Sequence, residues 1–180
     1  MSLAKFIGIA IATLCIPACG PVMVVDSAED GTAILIRSPQ PGLDDLESLH
    51  EEYTLGTIIN LRRADIIRDS LAEWHLVEKK FARDNHITYL TMDLNDGTEV
   101  PDDSEINLFL HLVKDKNFWP ILIHCQGGIH RTGFFTALYR IKINGWDAER
   151  AIDEMEDYWF NWTTSDRSAL RRYLRNYKRD

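Results

Sequence analysis

The feature that most constrains the fold of this sequence is an apolar run that leads into a cysteine and is followed by a turn with paired glycines. Residues 121–133 read Ile-Leu-Ile-His-Cys-Gln-Gly-Gly-Ile-His-Arg-Thr-Gly. The β-branched and aliphatic residues over 120–124, opened by a proline, predict a buried strand. After Thr132, apolar residues recur at helical spacing and predict a helix, at Phe135, Leu138 and Ile141. The turn between them therefore lies where open α/β sheets usually bind ligands, at a strand's carboxyl end.

The turn also carries the residue types that bind an anion. Its backbone N–H groups can converge on one point, and the dipole of the following helix supports negative charge there. Glycine permits the positive φ angles that such a curl needs, and arginine offers a planar fork that can grip two phosphate oxygens. The predicted phosphate-binding residues are Gln126, Gly127, Gly128, Ile129, His130 and Arg131.

Written out, the segment is H-C-x-x-G-x-x-R-T-G, which resembles the phosphate-binding loop of cysteine-dependent protein phosphatases. Helix amino ends and cationic neighbours favour the thiolate form of a cysteine, so we expect Cys125 to attack phosphorus. The resemblance implies that His124 orients the thiolate. It also implies that the Thr132 hydroxyl hydrogen-bonds the sulfur when the phosphocysteine breaks down. A structural cysteine in a chance turn, a sulfur-transfer loop and an arsenate-reducing loop are the alternatives.

Such phosphatases also need a general acid, which the family carries on a loop upstream of the cysteine. Asp96 lies in an Asp-Gly pair 29 residues before Cys125 and is the predicted acid. Asp93 is the alternative. Asp102 and Asp103 are expected instead to cap the next helix.

A second segment extends the resemblance to atypical dual-specificity phosphatases, including periplasmic bacterial ones. It reads Arg-Ser-Pro-Gln-Pro over 37–41 and Ile-Asn-Leu-Arg over 59–62, within a predicted strand–helix–strand unit. Tyr-Arg-Ile at 139–141 and Gly-Trp-Asp at 145–147 are similar as well. Arg37 and Arg62 are expected near the phosphate site, either touching substrate or, as is commoner, pairing with a local carboxylate.

The 180 residues are enough for one domain. Alternating strand-like and helix-like segments predict an α/β fold with a central, mainly parallel sheet of about four to five strands flanked by helices. The resemblance implies that this fold is protein tyrosine phosphatase-like. The net charge of −8 argues against nucleic-acid binding. Basic residues on the last predicted helix are therefore taken as a solvated face, namely Arg167, Arg171, Arg172, Arg175 and Lys178.

The amino terminus has the form of a secretory signal peptide over residues 1–18, with an apolar run too short for a confident membrane span. Ile-Pro-Ala-Cys at 16–19 resembles a bacterial lipobox, although its proline is unusual. We expect Cys19 to be lipidated, which would make an exported, periplasmic or membrane-tethered lipoprotein. Cleavage elsewhere and an uncleaved anchor are the alternatives. Residues 19–32 are then a tether, and residues 33–180 the catalytic domain.

The resemblance implies hydrolysis of phosphomonoesters on protein, mainly phosphotyrosine, without metal or cofactor. Phosphotyrosine-specific enzymes are usually longer, so this compact chain favours dual specificity. Phosphoinositide and inositol-pyrophosphate enzymes tend to place lysines in the loop, whereas Gln126, Gly127 and Ile129 are uncharged. His130-Arg-Thr-Gly nevertheless echoes the inositol-pyrophosphate group. That substrate class and a phosphopeptide-binding pseudophosphatase without turnover are the rival interpretations.

Overall fold

The protein contains one five-stranded, mostly parallel sheet in the computed structural model, which describes residues 20–62, 73–92, 94, 99–158 and 168–177. The strands are β1 (Met23–Ser27), β2 (Ala33–Ser38), β3 (Thr57–Asn60), β4 (Thr88–Thr91) and β5 (Ile121–His124). Their order across the sheet is β1-β2-β5-β3-β4. All neighbouring pairs are parallel except β1 with β2. The predicted fold class is confirmed.

Helices cover both faces of this sheet. In the described part of the chain they are α1 (Leu43–Tyr53), α2 (Glu73–Asp84), α3 (Asp103–Lys114), α4 (His130–Lys142), α5 (Ala148–Asp157) and α6 (Ser168–Asn176). Successive strand residues point to opposite faces. Accordingly, Ile121 and Ile123 join the apolar cluster beneath α3 to α6, whereas Leu122 joins the cluster beneath α1 and α2.

The edge strand β1 lies within the segment 19–32 that the sequence assigned to a tether. It pairs with β2 from Met23↔Arg37 to Ser27↔Ala33, with two irregularities in the register. Residues 23–27 are therefore part of the sheet. The apolar pair Val24 and Val25 explains this, because both side chains pack against the core clusters.

The basic helix α6 is paired with acidic residues of α5 rather than forming an open cationic patch. Arg175 contacts Glu149 at 2.6 Å, and Arg171 contacts Glu156 at 3.1 Å. Arg167 and Lys178 lie outside the described residues, as does the predicted signal peptide with Cys19. No helix within the described ranges has the length and apolar character needed to cross a membrane.

Candidate active site

Three parallel strands end side by side at the predicted phosphate loop. Ser38 of β2 and Asn60 of β3 are both in register with His124, the last residue of the central strand β5. Cys125 follows directly and is 2% exposed, and α4 begins at His130. The strand–loop–helix arrangement predicted from the sequence is confirmed.

The backbone carbonyls of the loop are held from outside by donors on other segments. Four such bonds are formed: Leu61 N to His124 O (2.9 Å), Gln40 N to Gln126 O (3.1 Å), Gly20 N to Gly127 O (2.7 Å) and Arg37 Nη2 to Gly128 O (2.6 Å). The C=O and N–H of a trans peptide point in opposite directions. These bonds therefore turn the N–H groups of Cys125, Gly127, Gly128 and Ile129 away from the donors, as an anion-binding concavity requires.

Gly128 is the position in the loop where only glycine fits. Its φ is +66°, and an added Cβ would lie 2.6 Å from Pro39 N and 2.7 Å from Ser38 O. Gly127, whose residue type would also permit a positive φ, is not among the positive-φ residues. The tight curl is concentrated at Gly128, where the loop passes closest to the end of β2.

Arg37 is a buried brace of the loop. Its side chain is 1% exposed, its guanidinium donates to Gly128, and its Cζ lies 4.5 Å from the centre of the Tyr158 ring. Burial lowers the pKa of Arg37, although Tyr158, Glu154 and Cys125 favour its charge. The two roles expected for Arg37 are contact with substrate and pairing with a carboxylate. Neither fits, since Arg37 holds loop backbone and is too buried to meet a substrate directly.

Arg131 joins the loop to two other segments of the site. Its Nη1 donates to the carbonyl oxygens of Leu61 (3.1 Å) and Leu94 (3.4 Å). Leu61 follows β3, and Leu94 belongs to the segment that carries the predicted general acid. The guanidinium is half-buried, and its Nε makes no hydrogen bond with the described part of the chain.

Arg62 lies beside this cluster. Its Nη1 donates to Gln40 Oε1 at 2.8 Å, and its Cζ lies 3.9 Å from the centre of the Trp74 ring. Burial lowers the pKa of Arg62, and the like charge of Arg131 lowers it further, whereas Glu78 and Cys125 act in the opposite direction. Arg62 therefore stands in the electrostatic field of both Arg131 and the nucleophile.

His124 meets a carboxylate that the sequence analysis did not single out. Both His124 and Glu78 are fully buried, and His124 Nε2 lies 3.0 Å from Glu78 Oε1. Glu78 belongs to α2, on the buried face that also carries His75, Phe81 and Ala82. A glutamate on the apolar face of an amphipathic helix is the signal that could have identified it.

Thr132 is buried, and its predicted contact with the sulfur during phosphocysteine breakdown stays a prediction. The hydroxyl has no hydrogen-bond partner among the described residues. Cys125 is at the end of β5, whereas Thr132 is already in the first turn of α4. In the rest of the loop Gln126 is exposed, while Ile129 and His130 are half-buried.

The two candidate acids, Asp96 and Asp93, lie outside the described residues. Their downstream neighbour Asp102 is the N-cap of α3, and its N–H donates to Glu105 Oε2 at 2.9 Å. The expectation that Asp102 caps this helix is confirmed, which removes it from the candidate acids.

Comparison with known proteins agrees with this geometry. A family model described as the tyrosine phosphatase family matches residues 27–180. The dual specificity protein phosphatase TpbA of Pseudomonas aeruginosa is 41% identical over 56 residues, which cover 31% of this chain and 26% of TpbA. The match thus spans about a quarter of that relative.

Two solved structures share the fold over most of the chain. The crystal structure of P. aeruginosa TpbA has a TM-score of 0.56 and 27% identity, covering 78% of this chain and 83% of TpbA. The core catalytic domain of the PP-IP phosphatase SIW14 from S. cerevisiae has a TM-score of 0.63 and 22% identity, covering 82% of each chain.

Proposed function

Because this chain belongs to the tyrosine phosphatase family, we propose that it hydrolyses phosphomonoesters on protein through a phosphocysteine intermediate. The observation that carries the proposal is the set of four loop carbonyls held outwards around Cys125. A phosphoryl group bound by the opposed N–H groups would lie against the thiolate, and Arg131 would hold its oxygens.

In the first step the Cys125 sulfur attacks phosphorus, an S–P bond forms, and the P–O bond to the substrate breaks. Asp96 donates a proton to the departing oxygen. In the second step water attacks phosphorus and gives its proton to Asp96. The S–P bond then breaks, which releases inorganic phosphate and restores the thiolate.

Phosphotyrosine, with phosphoserine and phosphothreonine as further substrates, is the proposed substrate class. TpbA is described as a dual specificity protein phosphatase. The loop side chains between Cys125 and His130 are uncharged, which suits a single phosphomonoester. This preference rests on the loop's own residues and on a relative that matches over part of its length.

A second candidate, an inositol phosphate or inositol pyrophosphate substrate, is favoured by one observation. Burial lowers the pKa of Arg62, and the like charge of the nearby Arg131 lowers it further. Two neighbouring guanidinium groups suit a substrate with more than one phosphate. SIW14 is described as a PP-IP phosphatase, but its likeness to this chain is one of fold.

A direct assay separates these functions. The chain beginning at residue 19 is given phosphotyrosine, phosphoserine and phosphothreonine peptides and an inositol pyrophosphate, with and without vanadate. Vanadate-sensitive hydrolysis of the peptides is expected, fastest for phosphotyrosine. Hydrolysis of the inositol pyrophosphate alone would support the second candidate, whereas phosphopeptide binding without turnover would indicate a pseudophosphatase.

We propose that the protein is an exported lipoprotein located at a membrane surface. The lipobox-like segment ends at Cys19, and the next residue, Gly20, already donates its N–H to the loop carbonyl of Gly127. Acyl chains on Cys19 would hold the domain far more firmly than its charge could. With so short a connection, the proposed substrates are phosphorylated proteins at or near that surface.

A further inference from the structure

Glu78 is a fully buried carboxylate behind the phosphate loop, and it has no part in the mechanism described above. Four polar side chains surround it: Gln40 Nε2 at 2.5 Å, Asn60 Nδ2 at 2.6 Å, Tyr89 Oη at 2.9 Å and His124 Nε2 at 3.0 Å. Asn60 also contacts the Tyr89 hydroxyl, which lies 3.2 Å from His75 Nδ1. The carboxylate is the centre of a buried polar network.

The network keeps Glu78 charged. Burial opposes ionisation, but the close approach of His124 Nε2, with the Tyr89 and Asn60 hydrogen bonds, outweighs it and lowers the pKa of Glu78. Replacing a buried charged group and its partners by well-packed apolar residues is often neutral or even stabilising. Stability alone is therefore a poor reason for a carboxylate at this place.

Glu78 contacts side chains that lead to both sides of the nucleophile. On one side it meets His124, the residue directly before Cys125. On the other side it binds the side chain of Gln40, whose backbone N–H holds the carbonyl of Gln126, the residue directly after Cys125. The loop is thus fixed at both neighbours of the cysteine from a single carboxylate on α2.

Gln40 also extends the network to Arg62. Its Oε1 accepts the hydrogen bond from Arg62, while its Nε2 donates to Glu78. A change at Glu78 would let the amide of Gln40 rotate, and both contacts would change together. This makes Glu78 the common support of His124, Gln126 and Arg62.

We propose that Glu78 is a positioning residue that fixes the imidazole of His124 and, through Gln40, the phosphate loop around Cys125. The inference rests on the proposed phosphocysteine function for its effect on turnover. Its effect on the geometry and reactivity of the cysteine does not depend on any substrate. Displacing a nucleophile by about 1 Å can cost roughly 10²-fold in rate.

The first test is Glu78→Gln, which keeps the shape of the side chain and removes its charge. We expect the alkylation rate of Cys125 by iodoacetamide to change by about 3-fold or more, and kcat to fall by roughly 10- to 100-fold with a much smaller change in KM. Alkylation and kcat both within about twofold of wild type would overturn the proposal.

The second test separates positioning through His124 from a general loss of stability. In a His124→Asn background the path through His124 is already broken and only the path through Gln40 remains, so adding Glu78→Gln should change the alkylation rate by clearly less than it does in the wild type. Alkylation remains measurable even if His124→Asn has no turnover. Effects of the two substitutions that simply multiply would overturn the proposal.

Asp26→Asn is the matched control. Asp26 is a partly buried carboxylate that accepts hydrogen bonds from Tyr139 Oη at 2.8 Å and Asn144 Nδ2 at 2.7 Å, away from the loop. Its substitution should lower the Tm and leave alkylation and turnover unchanged. An equal loss of reactivity in Asp26→Asn would show that reactivity merely follows stability, and would overturn the proposal.

If Glu78→Gln does not fold, Glu78→Asp takes its place, because it keeps the charge and withdraws the carboxylate by one methylene. A changed alkylation rate and reduced turnover are again expected, and wild-type values of both would overturn the proposal. Failure of the proposed function is seen separately. A wild-type protein that hydrolyses no phosphate ester, but whose Cys125 alkylation depends on Glu78, would refute the function and leave this inference intact.

Discussion

Arg37 and Gly128 are 91 positions apart in the sequence, yet the guanidinium of Arg37 donates to the Gly128 carbonyl over 2.6 Å inside the core. The bond joins the end of β2 to the tightest point of the phosphate loop. It also places a buried positive charge behind the site where an anion is expected to bind. The Arg37 side chain therefore both holds the loop backbone and adds positive charge near the expected anion site.

Arg37→Met should therefore weaken both the fold and phosphate binding. The substitution leaves the Gly128 carbonyl without its donor, at a cost of about 1–3 kcal/mol in unfolding free energy. We expect a lower Tm and a higher inhibition constant for inorganic phosphate. Arg175→Met, which removes an exposed ion pair with Glu149, is the control and should change neither value appreciably. Unchanged phosphate inhibition in Arg37→Met would contradict the bracing role.

Gly128→Ala and Gly145→Ala form a matched pair. Both glycines have positive φ, +66° and +70°, but a Cβ at Gly145 meets nothing within 4 Å whereas at Gly128 it meets the backbone of β2. Each alanine should cost about 1–2 kcal/mol of backbone strain. Only Gly128→Ala should also have a lower kcat/KM, by about 10²-fold or more, because it displaces the loop. Equal kinetics in the two variants would show that the close approach is unimportant.

Cys125→Ser should abolish turnover while phosphate-ester binding persists, because Arg131 and the backbone N–H groups remain. A serine hydroxyl is far less ionised than a cysteine thiol at neutral pH. The substitution therefore removes the nucleophile and keeps the binding site. Binding of a phosphotyrosine peptide by calorimetry and hydrolysis by phosphate release are the two measurements. Hydrolysis within tenfold of wild type would exclude the covalent mechanism.

Asp96→Asn should lower turnover by roughly 10²–10⁴-fold, the usual contribution of one positioned proton donor. The loss should be smallest for p-nitrophenyl phosphate, whose leaving group needs little protonation, and largest for alkyl phosphates. Steady-state rates over such a series provide the measurement. Full activity in Asp96→Asn together with a collapse in Asp93→Asn would assign the role to the alternative carboxylate.

Cys19→Ala should block lipid attachment and normal maturation in a bacterial host. The full-length protein is expected to incorporate labelled palmitate and to fractionate with membranes, and the variant to do neither. Purified catalytic domain carrying Cys19→Ala should keep its activity. Processing and release of the variant like wild type would favour ordinary signal cleavage.

The sequence was sufficient for the parts of the site that are contiguous in the chain. A buried run, a glycine turn and a helix follow from the pattern within residues 121–142, and they are formed as predicted. The elements of the strand–helix–strand unit before them were predictable for the same reason. In each of these elements the determining residues are close neighbours in sequence.

The supports of the loop could not be predicted in this way, because each comes from a distant segment. The fold of the sheet and its helices brings four distant residues to the loop or to His124, namely Gly20, Arg37, Gln40 and Glu78. The backbone of Gly20 and Gln40 acts here, so their residue type carries little signal. Gly127 shows the reverse case, since its residue type permits a positive φ that the structure does not use.

Through the hydrogen bond from Gly20 to Gly127, the amino-terminal end supports the phosphate loop, so its length should affect the proposed catalysis. A chain trimmed beyond residue 20 would lose the donor, and the peptide between Gly127 and Gly128 would be freer to rotate its N–H away from a bound phosphate. A recombinant domain cut for convenience at the start of β1 would then understate the activity of the natural enzyme. Proteolytic removal of Gly20 would lower the activity for the same reason.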